Sequence, residues 1–264
     1  MKKLIRKIVN LLGYEIVKKT NGRDSFEYDF EHNAKEAIAV ILQNTMVSFE
    51  PLITLYQQVR HCELNNIIGD FVECGVWKGG AVGLMALANM KFNQSRRHIH
   101  MFDVFDDICE PDPAVDGAYA INQIAELAKI NAESLQGNLK PVKGVYDSHG
   151  GHGTVNIVKQ LLEDKIGYDK RFLHYYQGWF QETLPFCKDK INKIAILRLD
   201  GDLYASTKVC LDFLYNKVVT GGFVIIDDYG AYEGCKKAVD EFRDKYGIKT
   251  FINHVNHDCR YWIK

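Results

Sequence analysis

Four aspartates follow two strand-like runs of the sequence, at 194–199 and 223–226: Asp200, Asp202, Asp227 and Asp228. Because ligands of open α/β sheets bind beyond the carboxyl ends of the strands, we expect these side chains to share one edge of a sheet. Crowded carboxylates repel one another, and a divalent cation would remove that repulsion. A single acid could instead cap the helix that follows it. Capping would explain one of the four acids, so a metal site is the favoured hypothesis.

The stretch FVECGVWKGG, residues 71–80, has the form of a glycine-containing turn that leads into a helix. Gly75 and Gly79 would let a ligand approach the backbone, but their spacing is not the G-x-G-x-x-G of dinucleotide-binding proteins. Glu73 precedes the turn, where an acid would repel a pyrophosphate and suit an ammonium or a sulfonium. Asp103 ends the next strand-like run, a position where acids commonly bind ribose hydroxyls. The two acids together predict S-adenosylmethionine as the ligand.

The elements that must position these residues alternate between short apolar runs and helical segments. The predicted strands cover 70–74, 98–103, 171–176, 194–199, 223–227, 250–255 and 260–263, and helical periodicity covers 80–91, 154–165, 206–217 and 233–246. This alternation predicts an α/β sandwich around a mostly parallel sheet. The last two strands are close enough to form a hairpin, so one of them should run antiparallel. Trp179 and Phe180 follow the third strand, where aromatic rings either cover an adenine or join the core.

We predict a helical N-terminal segment at 1–66 and an α/β domain at 67–264, interrupted by an insertion at 104–153. Insertions of this length are usually lids or substrate walls, and we expect this one to be a mobile wall over the site. His149 and His152 lie in it beside glycines and far from any cysteine. We interpret them as turn residues rather than metal ligands.

Composition limits the remaining possibilities. The 264 residues are 47% hydrophobic, enough for one substantial core. With 33 basic and 34 acidic side chains the net charge is −1, which does not favour a nucleic-acid partner. The seven cysteines form no C-x-x-C pair and are typical of a reduced, cytoplasmic protein. No apolar stretch is long enough to span a bilayer.

The first residues of the chain have the pattern of an amphipathic helix. Its apolar side chains fall on one face: Leu4, Ile5, Ile8, Leu11 and Leu12. Such a stripe could lie on a membrane surface, but short amphipathic helices usually bury it against protein. We therefore expect it to pack on its own domain or on a second subunit.

Several stretches occur in an order that resembles the macrocin O-methyltransferase (TylF/MycF-type) family of S-adenosylmethionine-dependent sugar O-methyltransferases. They are TMVSFEPLITLY, GDFVECGVWKGG, GWFQETLP, LRLDGDLYAST, GGFVIIDDYG and CKKAVDEFR. The resemblance covers about residues 45–100 and 154–264. It implies a class I methyltransferase domain with a Rossmann-like, seven-stranded, mostly parallel sheet that ends in a reversed hairpin.

The resemblance also implies roles for individual residues. Mg²⁺ would be held by Asp200, Asp227 and Asp228. Asp202 would be the general base, and Ser48 and Met46 would contact the cofactor from the N-terminal side. Coordination to Mg²⁺ lowers the pKa of a sugar hydroxyl, and a nearby carboxylate can then take its proton. The family further implies a sugar-containing small-molecule acceptor and a homo-oligomer.

Three other interpretations of these motifs compete with this one. A catechol-type O-methyltransferase also uses Mg²⁺ and a vicinal diol. The stretch DGDLYAS superficially matches the D-x-D motif of Mg²⁺-dependent haloacid dehalogenase-type phosphatases, but here it follows the fourth strand and position 204 is Tyr. A nucleotide-binding interaction module without chemistry is disfavoured by the four intact acids. The carrier of the sugar stays open between an antibiotic aglycone, a nucleotide and a surface polysaccharide precursor.

Overall fold

The fold is built around one sheet, described by a computed structural model that covers residues 29–264. Among these residues there are seven strands: β1 Asp70–Cys74, β2 Ile99–Asp103, β3 Leu173–Gln177, β4 Ile194–Leu199, β5 Val218–Ile226, β6 Asn253–His254 and β7 Arg260–Ile263. Their order across the sheet is β3-β2-β1-β4-β5-β7-β6. Strands β1 to β5 pair in parallel, whereas β7 is antiparallel to both β5 and β6. The predicted mostly parallel sheet with a reversed C-terminal hairpin is confirmed.

Helices flank the sheet. Within the described residues they are α1 Asp29–Ile41, α2 Phe49–Leu64, α3 Gly80–Phe92, α4 Gly117–Ala128, α5 Val155–Lys159, α6 Phe180–Cys187, α7 Tyr204–Leu214 and α8 Glu233–Lys245. Helix α5 continues into a π-helical turn, Gln160–Lys165. None of the helices within 29–264 is long and apolar enough to cross a bilayer. The amphipathic pattern predicted between Leu4 and Leu12 lies outside the described residues.

Two apolar layers cover the two faces of the sheet, because neighbouring residues of a strand point to opposite sides. In β1, Phe71 packs in the layer formed with α2 and α3, which also contains Tyr56. The next residue, Val72, packs in the layer formed with α6, α7 and α8, which also contains Trp262. All four of these side chains are at most 1% exposed. A parallel sheet buried on both faces leaves its strand ends as the place where polar side chains can meet.

Several strand boundaries differ from the predicted ones; the strand predicted at 250–255, for example, is confined to Asn253–His254. Two of the differences have identifiable reasons. Strand β5 begins at Val218, five residues before the predicted start, and Val218 pairs with Ile194 across a register shift. The glycines at 221 and 222 interrupt the apolar pattern and conceal this extension. Strand β3 begins at Leu173 because Lys170–Phe172 forms a 3₁₀ turn before it. Asp169 caps that turn by accepting the backbone N–H of Arg171 at 3.0 Å.

The insertion at 104–153 contains α4 and a small apolar cluster of its own. Its buried members are Ala120, Ile124, Ala125, Leu135, Val142 and Val145, and Leu203 from the loop after β4 joins them. The insertion is thus a folded element in contact with the loop that carries Asp200 and Asp202. Whether it moves over the site stays a prediction.

Candidate active site

The carboxyl ends of β1, β4 and β5 lie side by side and bring the predicted acids to one edge. The backbone N–H of Asp200 donates to Cys74 O at 2.8 Å, and that of Asp227 donates to Leu199 O at 2.9 Å. Carboxylate oxygens of Asp200, Asp202 and Asp228 lie within 4.8 Å of one another. We call these three residues the rim cluster. All four acids lie at the expected edge, where they line one recess, and three of them bring their carboxylate oxygens close together.

Asp202 is held in an uncommon backbone conformation, with φ of +57°. Its backbone N–H donates to Asp228 Oδ2 at 3.2 Å, so the loop after β4 is tied directly to the loop after β5. A non-glycine residue keeps a positive φ where its surroundings fix it, and Asp is among the residues that tolerate it best. This contact fixes the backbone of Asp202 beside the other two acids of the rim cluster.

Asp227, the fourth acid, turns toward a buried cation. Arg198, from the last part of β4, is 2% exposed. Its guanidinium reaches Asp200 Oδ2 at 2.7 Å and Asp227 Oδ1 at 2.7 Å, and it also hydrogen-bonds Glu73 Oε1. Arg198 thus joins the predicted cofactor acid to two predicted metal ligands. No role was predicted for Arg198, although a cation inside the otherwise apolar run IAILRL was a usable signal.

Glu73, placed by the sequence near an ammonium or sulfonium, is 1% exposed and has one oxygen on Arg198. Its other oxygen, Oε2, is buried and has no hydrogen-bond partner among the described residues. Burial raises the pKa of Glu73 to about 8, although Arg198 counteracts part of the shift. A buried acceptor without a donor is what a cationic ligand group would satisfy.

The electrostatics of the rim cluster show an excess of negative charge. Burial, followed by the negative charges of Asp200, Asp227 and Asp103, raises the pKa of Asp202 to about 8. Burial and the charge of Asp202 also raise the pKa of Asp228. These carboxyls resist ionisation together because the one guanidinium beside them does not balance their charge.

Asp103, predicted to bind ribose, makes structural contacts that were not predicted. Its Oδ2 accepts the backbone N–H groups of Val76 at 2.6 Å and Trp77 at 2.8 Å, and its Oδ1 accepts that of Phe105 at 2.6 Å. The carboxylate therefore shapes the turn after β1. Because Oδ1 accepts only one of these bonds, it keeps the capacity to accept a ligand hydroxyl.

The glycines of the turn are required for close packing. A Cβ at Gly75, whose φ is +90°, would lie 1.7 Å from the carbonyl oxygen of Asp200. Gly79, with φ of +88°, occupies the N-cap position of α3 in the left-handed region. Gly75 thus lets β1 and the loop after β4 approach each other, a reason that the sequence alone did not reveal.

Three adjoining recesses meet at the acids. A recess of about 290 Å³ is lined by Gly75, Asp103, Trp179 and Asp200. Phe180 and residues of the insertion also line it. A second recess of about 300 Å³ is polar and is lined by Ser48, Asp227 and Asp228. The third, about 210 Å³, lies beside Glu73, Arg198 and the first residues of α3. Asp202 and Met46 line all three, so they stand at the junction.

A second group that could hold a metal lies in the insertion and was not predicted. Asp106, Asp107 and His152 have ligand atoms within 4.8 Å of one another. We call them the insertion cluster. The ammonium group of Lys143 already hydrogen-bonds Asp106 and lies 4.0 Å from Asp107. This group is an ion-paired cluster of which only Asp106 lines a recess, the one of about 290 Å³, whereas the rim cluster borders all three.

The sheet order, the reversed hairpin and the position of the recesses define a class I S-adenosylmethionine-dependent methyltransferase fold. The solved O-methyltransferase NovP is similar over 89% of this chain and 97% of its own, with a TM-score of 0.69 and 28% identity. The model of the macrocin-O-methyltransferase (TylF) family matches residues 7–150 and 153–264. The chain belongs to this family and is an O-methyltransferase.

Two relatives illustrate its range. The chain is 35% identical over 222 residues to demethyldecarbamoylnovobiocin O-methyltransferase of Streptomyces niveus. This match covers 83% of this chain and 75% of the relative. It is 31% identical over 242 residues to 8-demethyl-8-(2,3-dimethoxy-alpha-L-rhamnosyl)-tetracenomycin-C 4'-O-methyltransferase of Streptomyces olivaceus, covering 90% of this chain and 84% of the relative. The family match also runs through most of the insertion, which the stretches quoted from the sequence did not cover.

Proposed function

We propose that this enzyme transfers the methyl group of S-adenosylmethionine to a sugar hydroxyl of a small-molecule acceptor, with Mg²⁺ bound at the rim. The observation that carries the proposal is the position of Asp202, which lines the recess beside Glu73, the recess beside Asp103 and the polar recess beside Ser48. A base at that junction can reach a hydroxyl on one side and a methyl donor on the other.

The cofactor is assigned to the two recesses on the β1 side. Glu73 Oε2 lacks a donor and suits the ammonium group. Asp103 Oδ1 retains acceptor capacity for a ribose hydroxyl, and Trp179 lines the same recess, where an aromatic ring can cover the adenine. Met46 lines both recesses from the N-terminal side and is assigned to the cofactor site. Ser48, which was expected to join it there, lines only the polar recess and is assigned to the acceptor side of Asp202.

The metal assignment rests on the donors present. Carboxylate oxygens are the hard ligands that Mg²⁺ prefers, and the raised pKa values of Asp202 and Asp228 indicate that compensating positive charge is missing. We assign Asp200, Asp227 and Asp228 to Mg²⁺. Asp227 would have to share or give up its contact with Arg198. A bound Mg²⁺ would lower the pKa of an acceptor hydroxyl that coordinates to it.

Asp202 is assigned to the proton. A carboxylate at the junction can accept the hydroxyl proton as the oxygen attacks the methyl group, provided that donor and acceptor are held in line. The hydrogen bond from its backbone N–H to Asp228 and its positive φ hold the backbone of Asp202 in one conformation at the rim. The closeness of Asp202 to Asp200 and Asp228 makes a ligand role the competing assignment, and the variants discussed below separate the two.

The polar recess lined by Ser48, Asn256 and Asp258 is assigned to the acceptor. The Streptomyces olivaceus relative is named for a rhamnosyl-bearing tetracenomycin, which supports a deoxysugar glycoside as the class to test first. We expect the purified enzyme with S-adenosylmethionine and Mg²⁺ to add one methyl group to such glycosides. Mass spectrometry of a panel of rhamnosides, nucleotide sugars and catechols tests this. Methylation of the catechols alone would refute the sugar assignment.

We also expect the protein to be a homo-oligomer located in the cytoplasm, without nucleic-acid or membrane partners. The relatives are named for small-molecule substrates, which supports a small-molecule acceptor rather than a nucleic-acid partner. Light scattering of the purified protein tests the oligomeric state, and a monomer at working concentration would contradict it.

A further inference from the structure

Helix α7, which follows the loop of Asp200 and Asp202, receives its N-terminal cap from the insertion. The residue at its N-cap position is Leu203, which has no side-chain hydrogen bond to offer. The backbone N–H of Tyr204 instead donates to Asp116 Oδ1 at 2.6 Å, across 88 residues of sequence. A carboxylate at this place satisfies an otherwise unpaired donor and interacts favourably with the helix dipole.

Asp116 is itself firmly held. It is 2% exposed, and its second oxygen, Oδ2, accepts the backbone N–H of Asp112 at 2.7 Å. Both oxygens are therefore occupied by backbone donors, one from the insertion and one from α7. Leu203, 2% exposed, completes this attachment by packing into the apolar cluster of the insertion.

The same part of the insertion also contacts the loop that follows Asp227 and Asp228 and the first residues of α8, which begins at Glu233. A Cβ at Gly234 would lie 2.2 Å from Asp116 Oδ1, and a Cβ at Gly117 would lie 1.7 Å from Glu233 Oε2. Farther along α4, Gln123 Oε1 accepts a hydrogen bond from the hydroxyl of Tyr232. Helix α4 and the residue before it are thus fitted tightly to both acid-bearing loops.

We propose that Asp116 is a positioning residue, which fixes the loop after β4 against the loop after β5 so that the carboxylates of the rim cluster converge. This rests on the proposed function of that cluster. Asp116 lines none of the three recesses and acts through Tyr204 and Leu203. The proposal assigns α4 a fixed place, so that the predicted mobile wall would be confined to the rest of the insertion.

The test compares Asp116→Ala with Asp116→Asn. Alanine removes the acceptor for Tyr204 N–H, whereas asparagine keeps a side-chain oxygen there. We expect Asp116→Ala to weaken binding of Mn²⁺, used as a spectroscopic probe for Mg²⁺, and to lower kcat by roughly ten- to a hundredfold, the usual effect of small displacements of reacting groups. Affinity for S-adenosylhomocysteine should stay within about twofold, and Asp116→Asn should restore most of the metal affinity.

The control is Asn131→Ala. Asn131 caps a short 3₁₀ turn of the insertion by accepting Glu133 N–H at 3.1 Å, and none of its hydrogen bonds within the described part of the chain reaches either acid-bearing loop. It should leave metal affinity and kcat unchanged. If Asp116→Ala does not fold, Asp116→Glu takes its place, since it keeps the charge but moves the carboxylate by one methylene, and it should also weaken Mn²⁺ binding.

The outcomes separate the two hypotheses. The positioning role would be overturned if folded Asp116→Ala kept native metal affinity and native kcat. The same result in Asp116→Glu would overturn it if that variant has to replace Asp116→Ala. Either result would leave the proposed function intact. A native enzyme that binds no Mn²⁺ and transfers no methyl group would refute the proposed function instead. Loss of metal affinity to the same extent in Asn131→Ala would also overturn the positioning role, because a general loosening of the insertion would then explain the effect.

Discussion

The rim cluster and the insertion cluster contain the same kinds of ligand atom but differ in what surrounds them. The rim cluster consists of Asp200, Asp202 and Asp228 and has one buried guanidinium beside it, that of Arg198. Among the three acids, Arg198 forms an ion pair with Asp200 alone. In the insertion cluster, the ammonium of Lys143 hydrogen-bonds Asp106, whose side chain is 30% exposed. The two clusters are similarly exposed, since the Asp200 side chain is 28% exposed, and they differ in charge: the first is short of positive charge, and the second already has its cation.

The pKa directions of the two clusters reflect this difference. Burial and neighbouring acids raise the pKa of Asp202 to about 8. Partial burial also acts to raise the pKa of Asp106, but the hydrogen bond from Lys143 and the nearby charges outweigh it, so that the pKa ends below its usual value. Proximity of three ligand atoms is therefore a poor criterion for a metal site, and uncompensated charge is a better one.

Among variants that test the difference between the rim cluster and the insertion cluster, Asp202→Asn is expected to have the largest effect on turnover. Asparagine keeps the size of the side chain but cannot accept a proton, so kcat should fall by about 10²–10⁴, the usual contribution of a positioned general base. Mg²⁺ and cofactor affinity should stay nearly native. Added Mg²⁺ should not restore turnover, whereas a higher pH should do so in part. Titration of activity against Mg²⁺ and pH provides the measurement.

Asp228→Asn should fail in a different way. Loss of a carboxylate ligand should weaken Mg²⁺ binding by roughly ten- to a hundredfold, and a high Mg²⁺ concentration should restore much of the turnover. Calorimetric titration with Mg²⁺, compared between Asp202→Asn and Asp228→Asn, decides the assignment. If the two variants lose metal affinity equally, Asp202 is a ligand and the base must be sought elsewhere.

The fold and the rim were largely predictable, and the residues that support the rim were not. Alternating apolar runs predicted the parallel sheet and the reversed hairpin, because these patterns are local. Asp116 acts on Tyr204 across 88 residues, a contact that no periodicity reveals. Gly75 was assigned to ligand approach from its place in the turn, whereas the packing of Asp200 O against it depends on the pairing of β1 with β4.

Stability of the metal-free protein should depend on pH through the rim cluster. An acid whose pKa is raised in the folded state keeps its proton where the unfolded chain has lost it, so its contribution falls as pH rises. For Asp202 this window runs from its ordinary value of 3.8 to about 8. With a chelator present, Tm should therefore fall by several degrees between about pH 5 and pH 8, and Mg²⁺ should remove most of the fall.

The matched variant for that experiment is Asp202→Asn, which has no carboxyl to titrate at this position. Its Tm in chelator should change less over the same pH interval than that of the native protein. An equal fall in both proteins would show that other groups cause the pH dependence, and the claim that the rim is short of positive charge would lose its support.

The smallest effect is expected from Asp106→Asn in the insertion cluster. Lys143 and Asp106 form a partly exposed ion pair, and such pairs contribute about 0–1 kcal/mol to folding. The variant should therefore unfold within that range of the native protein. Because Lys143 already supplies a cation to the cluster, Mg²⁺ affinity and kcat should stay within about twofold of native. Denaturant unfolding and Mg²⁺ titration check both expectations. A loss of Mg²⁺ affinity comparable to that of Asp228→Asn would mean that the insertion cluster binds the metal, and uncompensated charge would then not distinguish the two clusters.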